Sequence, residues 1–142
     1  MLIEMTIKGL MVDPITNMPV VILKDREGER VLPIWVGIFE ANAIALQIEN
    51  IATTRPMTHD LLRNIISDLK ADVEKIVVSD LQDNTFYALI HLRVGGEVVA
   101  IDARPSDAIA PYMCVVGCSS ASFMTLVRSY HTAPPVPRVR RK

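Results

Sequence analysis

The chain has 142 residues, half of them hydrophobic and 22% charged, with a formal net charge of −1. That length suits about one ordinary domain with a buried core, and the balance excludes disordered and fibrous classes. Charge interrupts every apolar stretch well before the roughly 20 residues that a membrane span needs, so no membrane partner is expected.

Residues 2–12 alternate Ile3, Met5 and Ile7 with Glu4, Thr6 and Lys8, which is strand periodicity. Asp13-Pro14 and Asn17 mark a loop, Val20–Lys24 a second strand, and Arg30–Val36 a third. Pro33 cannot donate to a ladder, which places this third strand at an edge or a bulge. Gly37 opens a helix to about Ala52 whose apolar residues cover most of its circumference, so it is either the central helix of the fold or a subunit interface. A second helix follows Pro56 with Thr58 as N-cap. Its stripe of Leu61, Leu62, Ile65, Ile66 and Leu69 opposes Arg63, Asn64, Asp68 and Lys70.

From Val73 the period returns to two, giving strands over Val73–Leu81, Thr85–Val94 and Val98–Ala103. Asp83-Asn84 and Gly95-Gly96 are the hairpin turns between them. Pro105 starts a third helix, which Pro111 interrupts. The pattern is β-β-β-α-α-β-β-β-α. It predicts an α+β fold of two mainly antiparallel three-stranded units packed with a central apolar helix.

Charge divides the chain. Residues 1–110 hold all sixteen acids and ten of the basic residues, a net −6, whereas residues 111–142 hold five basic residues and no acid. With Pro134-Pro135-Val136-Pro137 and no steady period, 111–142 read as a divergent, irregular basic tail behind a domain spanning 1–110. That tail is expected to add little to the core. The opening Met1-Leu2-Ile3-Glu4-Met5 lacks the pattern of a signal peptide. Cys114 and Cys118 make no disulfide framework, so the expected location is cytoplasmic. Neither cysteine has partner ligands at zinc-type spacing, and no zinc site is expected there.

Four polar clusters are candidates for chemistry, and each has a purely structural alternative. Glu40 lies in the first turn of the apolar helix, where it either stabilises the helix dipole or serves as a carboxylate among apolar neighbours. Thr58-His59-Asp60 either caps the second helix or supplies an acid–base group or ligand. Asp83-Asn84 are ordinary turn residues. Asp102-Ala103-Arg104-Pro105-Ser106-Asp107 is the most informative stretch. It sets a carboxylate, a guanidinium and a second carboxylate across a strand-to-helix junction, the kind of place that binds anions and metals. A local salt bridge explains the same residues. Two such carboxylates can also hold a divalent ion that activates water and neutralises a phosphodiester.

Several blocks, in order, resemble the bifunctional nuclease domain over roughly residues 3–110. They are Pro19–Leu23, Leu32-Pro33-Ile34-Trp35-Val36-Gly37 with Glu40-Ala41, Arg55–Leu61, Asp83–Ala88 and Asp102–Ala110. The resemblance implies a small α/β domain, commonly dimeric, with nuclease activity toward RNA and DNA. Its polar positions fall on Glu40, His59, Asp60, Asp83, Asp102, Arg104, Ser106 and Asp107. After Ala110 the sequence leaves the family's pattern.

The expectation is therefore a nuclease cleaving phosphodiester bonds with a divalent metal, magnesium or manganese. Asp102, Asp107 and Glu40 are its candidate metal ligands, His59 or Asp60 its acid–base group, and Arg104 with Ser106 its substrate contacts. A homodimer or larger homo-oligomer is expected from the apolar helix. The competing expectation is a non-catalytic module that holds an anion or a protein partner with the same residues. The acidic body and an aromatic content of only 5%, too little for a base-stacking platform, favour it.

Overall fold

The computed structural model describes residues 2–116 and 122–126. Strands β1 (Leu2–Val12), β2 (Pro19–Asp25) and β3 (Val31–Trp35) form an antiparallel unit, followed by helices α1 (Ile38–Ile48) and α2 (Thr58–Asp68). Strands β4 (Ala71–Gln82), β5 (Thr85–Val94) and β6 (Glu97–Ala103) form the second antiparallel unit. Helix α3 (Pro105–Val116) and strand β7 (Ser122–Leu126) close the described chain. The fold is α+β, with the two three-stranded units that the sequence predicts. What periodicity did not reveal is β7. It runs antiparallel to β1 and parallel to β4, and so joins both units into one sheet of order β3-β2-β1-β7-β4-β5-β6.

Local chemistry explains the turns. Asp83 and Asn84 have φ of 47° and 60°, and Gly95 and Gly96 have 56° and 90°. Two successive positive φ values are what a tight hairpin needs to match strand twist, and Asp-Asn and Gly-Gly tolerate them. Pro33 lies in β3, the strand at one edge of the sheet, where its missing donor costs no ladder bond.

Helix α3 is the centre of the packing, touching α1, α2, β4 and β5. Its Ile109 and Met113 are fully buried, alongside Leu23 and Ile34 of the first unit, Ile44 of α1, and Ile76 and Val78 of the second. Each such side chain stabilises the fold by about 1.5–3 kcal/mol.

The structure departs from four of these expectations. Helix α3 does not stop at Pro111 but continues to Val116. A proline in mid-helix costs about 3 kcal/mol. Burial of Tyr112 and Met113 immediately beyond it offsets a cost of that size, which also brings residues past Ala110 into the core. The N-cap of α2 is Met57 rather than Thr58, and Asp60 reaches back to accept from the Met57 backbone N–H at 3.0 Å. The apolar stripe of α2 does not face the core: Leu61, Leu62, Ile65 and Leu69 are exposed, and His59 is the residue the helix buries. The Pro-rich basic end, over 127–142, and Cys118 lie outside the described residues. No helix among the described residues is long and apolar enough to cross a membrane.

Candidate active site

Three segments far apart in sequence meet at a cavity of about 200 Å³, lined by Trp35, Gly37, Asn84, Phe86, Arg104 and Ser106 among others. The end of β3 brings Trp35, the β4–β5 hairpin brings Asn84, and the β6–α3 junction brings Arg104. Trp35 is fixed from behind: its Nε1–H donates to Asp13 at 3.2 Å. Asp13 also accepts from the Ile15 backbone N–H at 3.0 Å and the Thr16 hydroxyl at 2.8 Å. These bonds, led by the Ile15 amide, hold its carboxyl below the usual carboxylate range.

Arg104 organises the rim. Its Nε and Nη2 donate to the two oxygens of Asp107 at 2.7 and 3.0 Å, a fork that also fixes the plane of the guanidinium. Nη2 donates as well to Glu40 Oε1 at 2.9 Å. Both carboxylates occupy the third position of their helices, α1 and α3, so two positive helix ends point toward one guanidinium and its two acids. Glu40 folds back over its own helix start. Its own backbone N–H, and then Arg104, hold its carboxyl below the ordinary value against the opposing effect of burial. This posture depends on Gly37, since a Cβ there would collide with the Glu40 carboxylate.

The Arg104 side chain is 65% exposed, Asp107 45% and Glu40 22%. Ion pairs so open to water contribute only about 0–1 kcal/mol. The fold therefore does not require this constellation, and Arg104 can turn toward a ligand at little cost. Nη1 of Arg104 makes no hydrogen bond among the described residues, which leaves donors facing outward.

The structure brings Glu40, Arg104 and Asp107 together, with Ser106 in the cavity wall beside them. Asp102 does not join them. In β6 it pairs with Leu89, while its neighbour Ala103 packs against the core. Side chains alternate along a strand, so Asp102 points to the opposite face of the sheet. The expected three-carboxylate cluster is thus not assembled. Asp83 sits in the hairpin turn, and its neighbour Asn84, rather than Asp83 itself, lines the cavity.

His59 and Asp60 belong to a second place in the fold. His59 Nε2 lies 3.7 Å from Asp60 Oδ2, and Cys114 Sγ donates to Asp60 Oδ1 at 3.7 Å. Cys114 is seven residues beyond Asp107 on α3, about 10 Å along the helix axis. The expectation that Cys114 lacks partners is corrected: His59 and Asp60 are 55 and 54 residues away in sequence but adjacent in space. No local spacing signals such a contact. Burial, and then the Asp60 charge, push the Cys114 thiol up to about 11.

Residues 21–113 match the bifunctional nuclease domain. Two uncharacterized proteins of Mycobacterium tuberculosis, one from each of two strains, are each 39% identical to this chain over 107 residues. The match covers 75% of this chain and 63% of each relative, so the chain spans less than two thirds of their length. The matched region holds every residue of the Arg104 constellation and the Met113 that anchors α3, and on that extent the chain belongs to the bifunctional nuclease domain family.

Proposed function

We propose that this protein is a nuclease that hydrolyses phosphodiester bonds of RNA or DNA in the cytoplasm, working at the Arg104 cleft. The observation that carries the reading is Arg104 itself. It is an exposed guanidinium gripped by Glu40 and Asp107 where two helix N-termini converge beside a cavity. A planar fork of donors suits phosphate oxygens, and helix N-termini favour anions. In this reading Arg104 keeps part of its grip on Asp107 and presents Nη1 to the scissile phosphate. Ser106 and the Asn84 hairpin bound the space that the sugar–phosphate backbone enters. Glu40, held ionised at neutral pH by its own backbone N–H and by Arg104, serves as a carboxylate for the ion rather than as the base, and the attacking water gives up its proton to solvent.

Nη2 lies 2.9 Å from Glu40 and 3.0 Å from Asp107, which puts the two carboxylates within about 6 Å of each other. Two carboxylates completed by substrate phosphate suit magnesium or manganese, so these residues would hold the ion. When bound, it would neutralise charge developing on the phosphate. The test is degradation of labelled RNA and DNA by the purified full chain in EDTA and after addition of magnesium or manganese. Loss in chelator and recovery on addition supports the reading, and no cleavage under any condition ends it.

The second reading, a non-catalytic anion-binding or protein-interaction module, is favoured by one observation: the residues lining the cleft include no histidine. Binding of a phosphodiester oligonucleotide without turnover, unaffected by chelator, would select it. We also propose a homodimer or larger homo-oligomer. Phe39, next to Glu40 in α1, is 89% exposed, and Leu61, Leu62, Ile65 and Leu69 along α2 and its C-cap are uncovered in a single chain.

A further inference from the structure

We propose that His59, Asp60 and Cys114 form a zinc-type metal site between α2 and α3, separate from the Arg104 cleft. Among the described residues this is the one group of three metal-ligating side chains whose donor atoms all lie within 4.8 Å of one another. The donor spacing suits a tetrahedral ion. Zinc bonds of about 2.3 Å to sulfur and about 2.0 Å to nitrogen or oxygen set neighbouring donors roughly 3.3–3.5 Å apart. Asp60 lies 3.7 Å from His59 through Oδ2 and 3.7 Å from Cys114 through Oδ1, and with one donor atom from each residue all three lie within 4.8 Å, so side-chain rotations bring the set to zinc spacing.

The chemistry of the set points the same way. Thiolate, imidazole and carboxylate together select zinc over magnesium or calcium, which take oxygen alone. Asp60 is preorganised, because the Met57 backbone N–H holds its Oδ2 at 3.0 Å while Oδ1 faces Cys114. One thiolate and one carboxylate balance the charge of a dication. On binding, the ion takes the sulfur lone pair and the thiol proton leaves to solvent.

Access comes from two sides. His59 and Asp60 line a cavity of about 310 Å³, Cys114 lines one of about 370 Å³, and Arg63 borders both. Arg63 is turned onto Asn64, to which its Nε and Nη2 donate at 3.1 and 2.8 Å. Three protein ligands beside open space leave a fourth position for water.

The test is cobalt(II) titration of the full chain, stripped of metal and read by absorption, because cobalt replaces zinc and a cobalt–thiolate bond absorbs in the near ultraviolet. The wild type should develop the thiolate band and intense tetrahedral visible bands at one ion per chain, reversed by added zinc. Cys114→Ser should lose the thiolate band, and His59→Gln should bind at least about a hundredfold more weakly. Cys118→Ser should match the wild type. Circular dichroism of each variant confirms that it is folded. No band in the wild type, a band that survives in Cys114→Ser, or one lost in Cys118→Ser overturns the site. Because the readout is spectroscopic, its outcome is independent of whether the Arg104 cleft cleaves nucleic acid.

Discussion

Replacing Arg104 by lysine separates the two things that residue could do. Lysine keeps the positive charge but loses the fork that donates to Asp107 at 2.7 and 3.0 Å while also reaching Glu40 at 2.9 Å. With a side chain 65% exposed, the lost pairs contribute about 0–1 kcal/mol to folding. For a chain of this size that is a fall in melting temperature of no more than about 4 °C. Loss of a preorganised donor to a transferring phosphoryl group typically costs about 2.7–4 kcal/mol in the transition state, a rate loss of about a hundredfold to a thousandfold. Thermal unfolding by circular dichroism gives the first quantity and cleavage of labelled RNA and DNA the second. A protein that melts like the wild type and has lost nearly all cleavage is the expected result. Equal cleavage by Arg104→Lys and wild type would refute the phosphate role. A melting temperature lowered by about 8 °C or more, twice that maximum, would refute the claim that the constellation is structurally dispensable.

Gly37→Ala should leave stability nearly unchanged, because the atom its Cβ meets is the mobile end of Glu40, yet reduce cleavage by pushing that carboxylate off Arg104. Met113→Ala should destabilise the fold by about 2–5 kcal/mol in denaturant titration, and truncation after Ala110 should leave a chain without native circular dichroism, since α3 would lose its second half. Asp13 has a lowered folded pKa, so its stabilisation is present above 3.8 and fades as pH falls through the folded value. The wild type should thus exceed Asp13→Asn in stability at neutral pH and converge on it in acid, with Trp35 fluorescence reporting the transition. Light scattering at micromolar concentration should give a mass above the 15.8 kDa of one chain, and Phe39→Glu should shift the mass toward one chain.

Strand alternation and turn chemistry made six strands and two hairpins readable, because those signals are local: Asp83-Asn84 and Gly95-Gly96 demand positive φ wherever they occur. The reach of α3 was not readable. Pro111 is a strong local breaker, and the burial of Tyr112 and Met113 that overrides it is a tertiary property. Strand β7 escaped for a related reason, since its five residues pair with β1 and β4, more than 100 residues and about 50 residues away respectively. In the site, Glu40, Arg104 and Asp107 each sat at an element end, and that position rightly suggested convergence. Asp102 was grouped with them by the same argument, as the carboxylate at the end of a strand, whereas one residue of strand register sends its side chain to the other face. Cys114 was set aside for want of nearby ligands, and α2 supplies them from across the helix interface.

If the proposed cleavage occurs at the Arg104 cleft, Asp107 belongs to that site and Asp102 does not. The most direct test is cleavage of labelled RNA and DNA by wild type, Asp107→Asn and Asp102→Asn, purified identically and checked for folding. Asp102→Asn should cleave like the wild type, while Asp107→Asn should lose about a hundredfold or more as Arg104 loses its fork. Equal loss in both variants would contradict the geometry of the site, and unchanged cleavage in both would mean that the activity does not arise at this cleft.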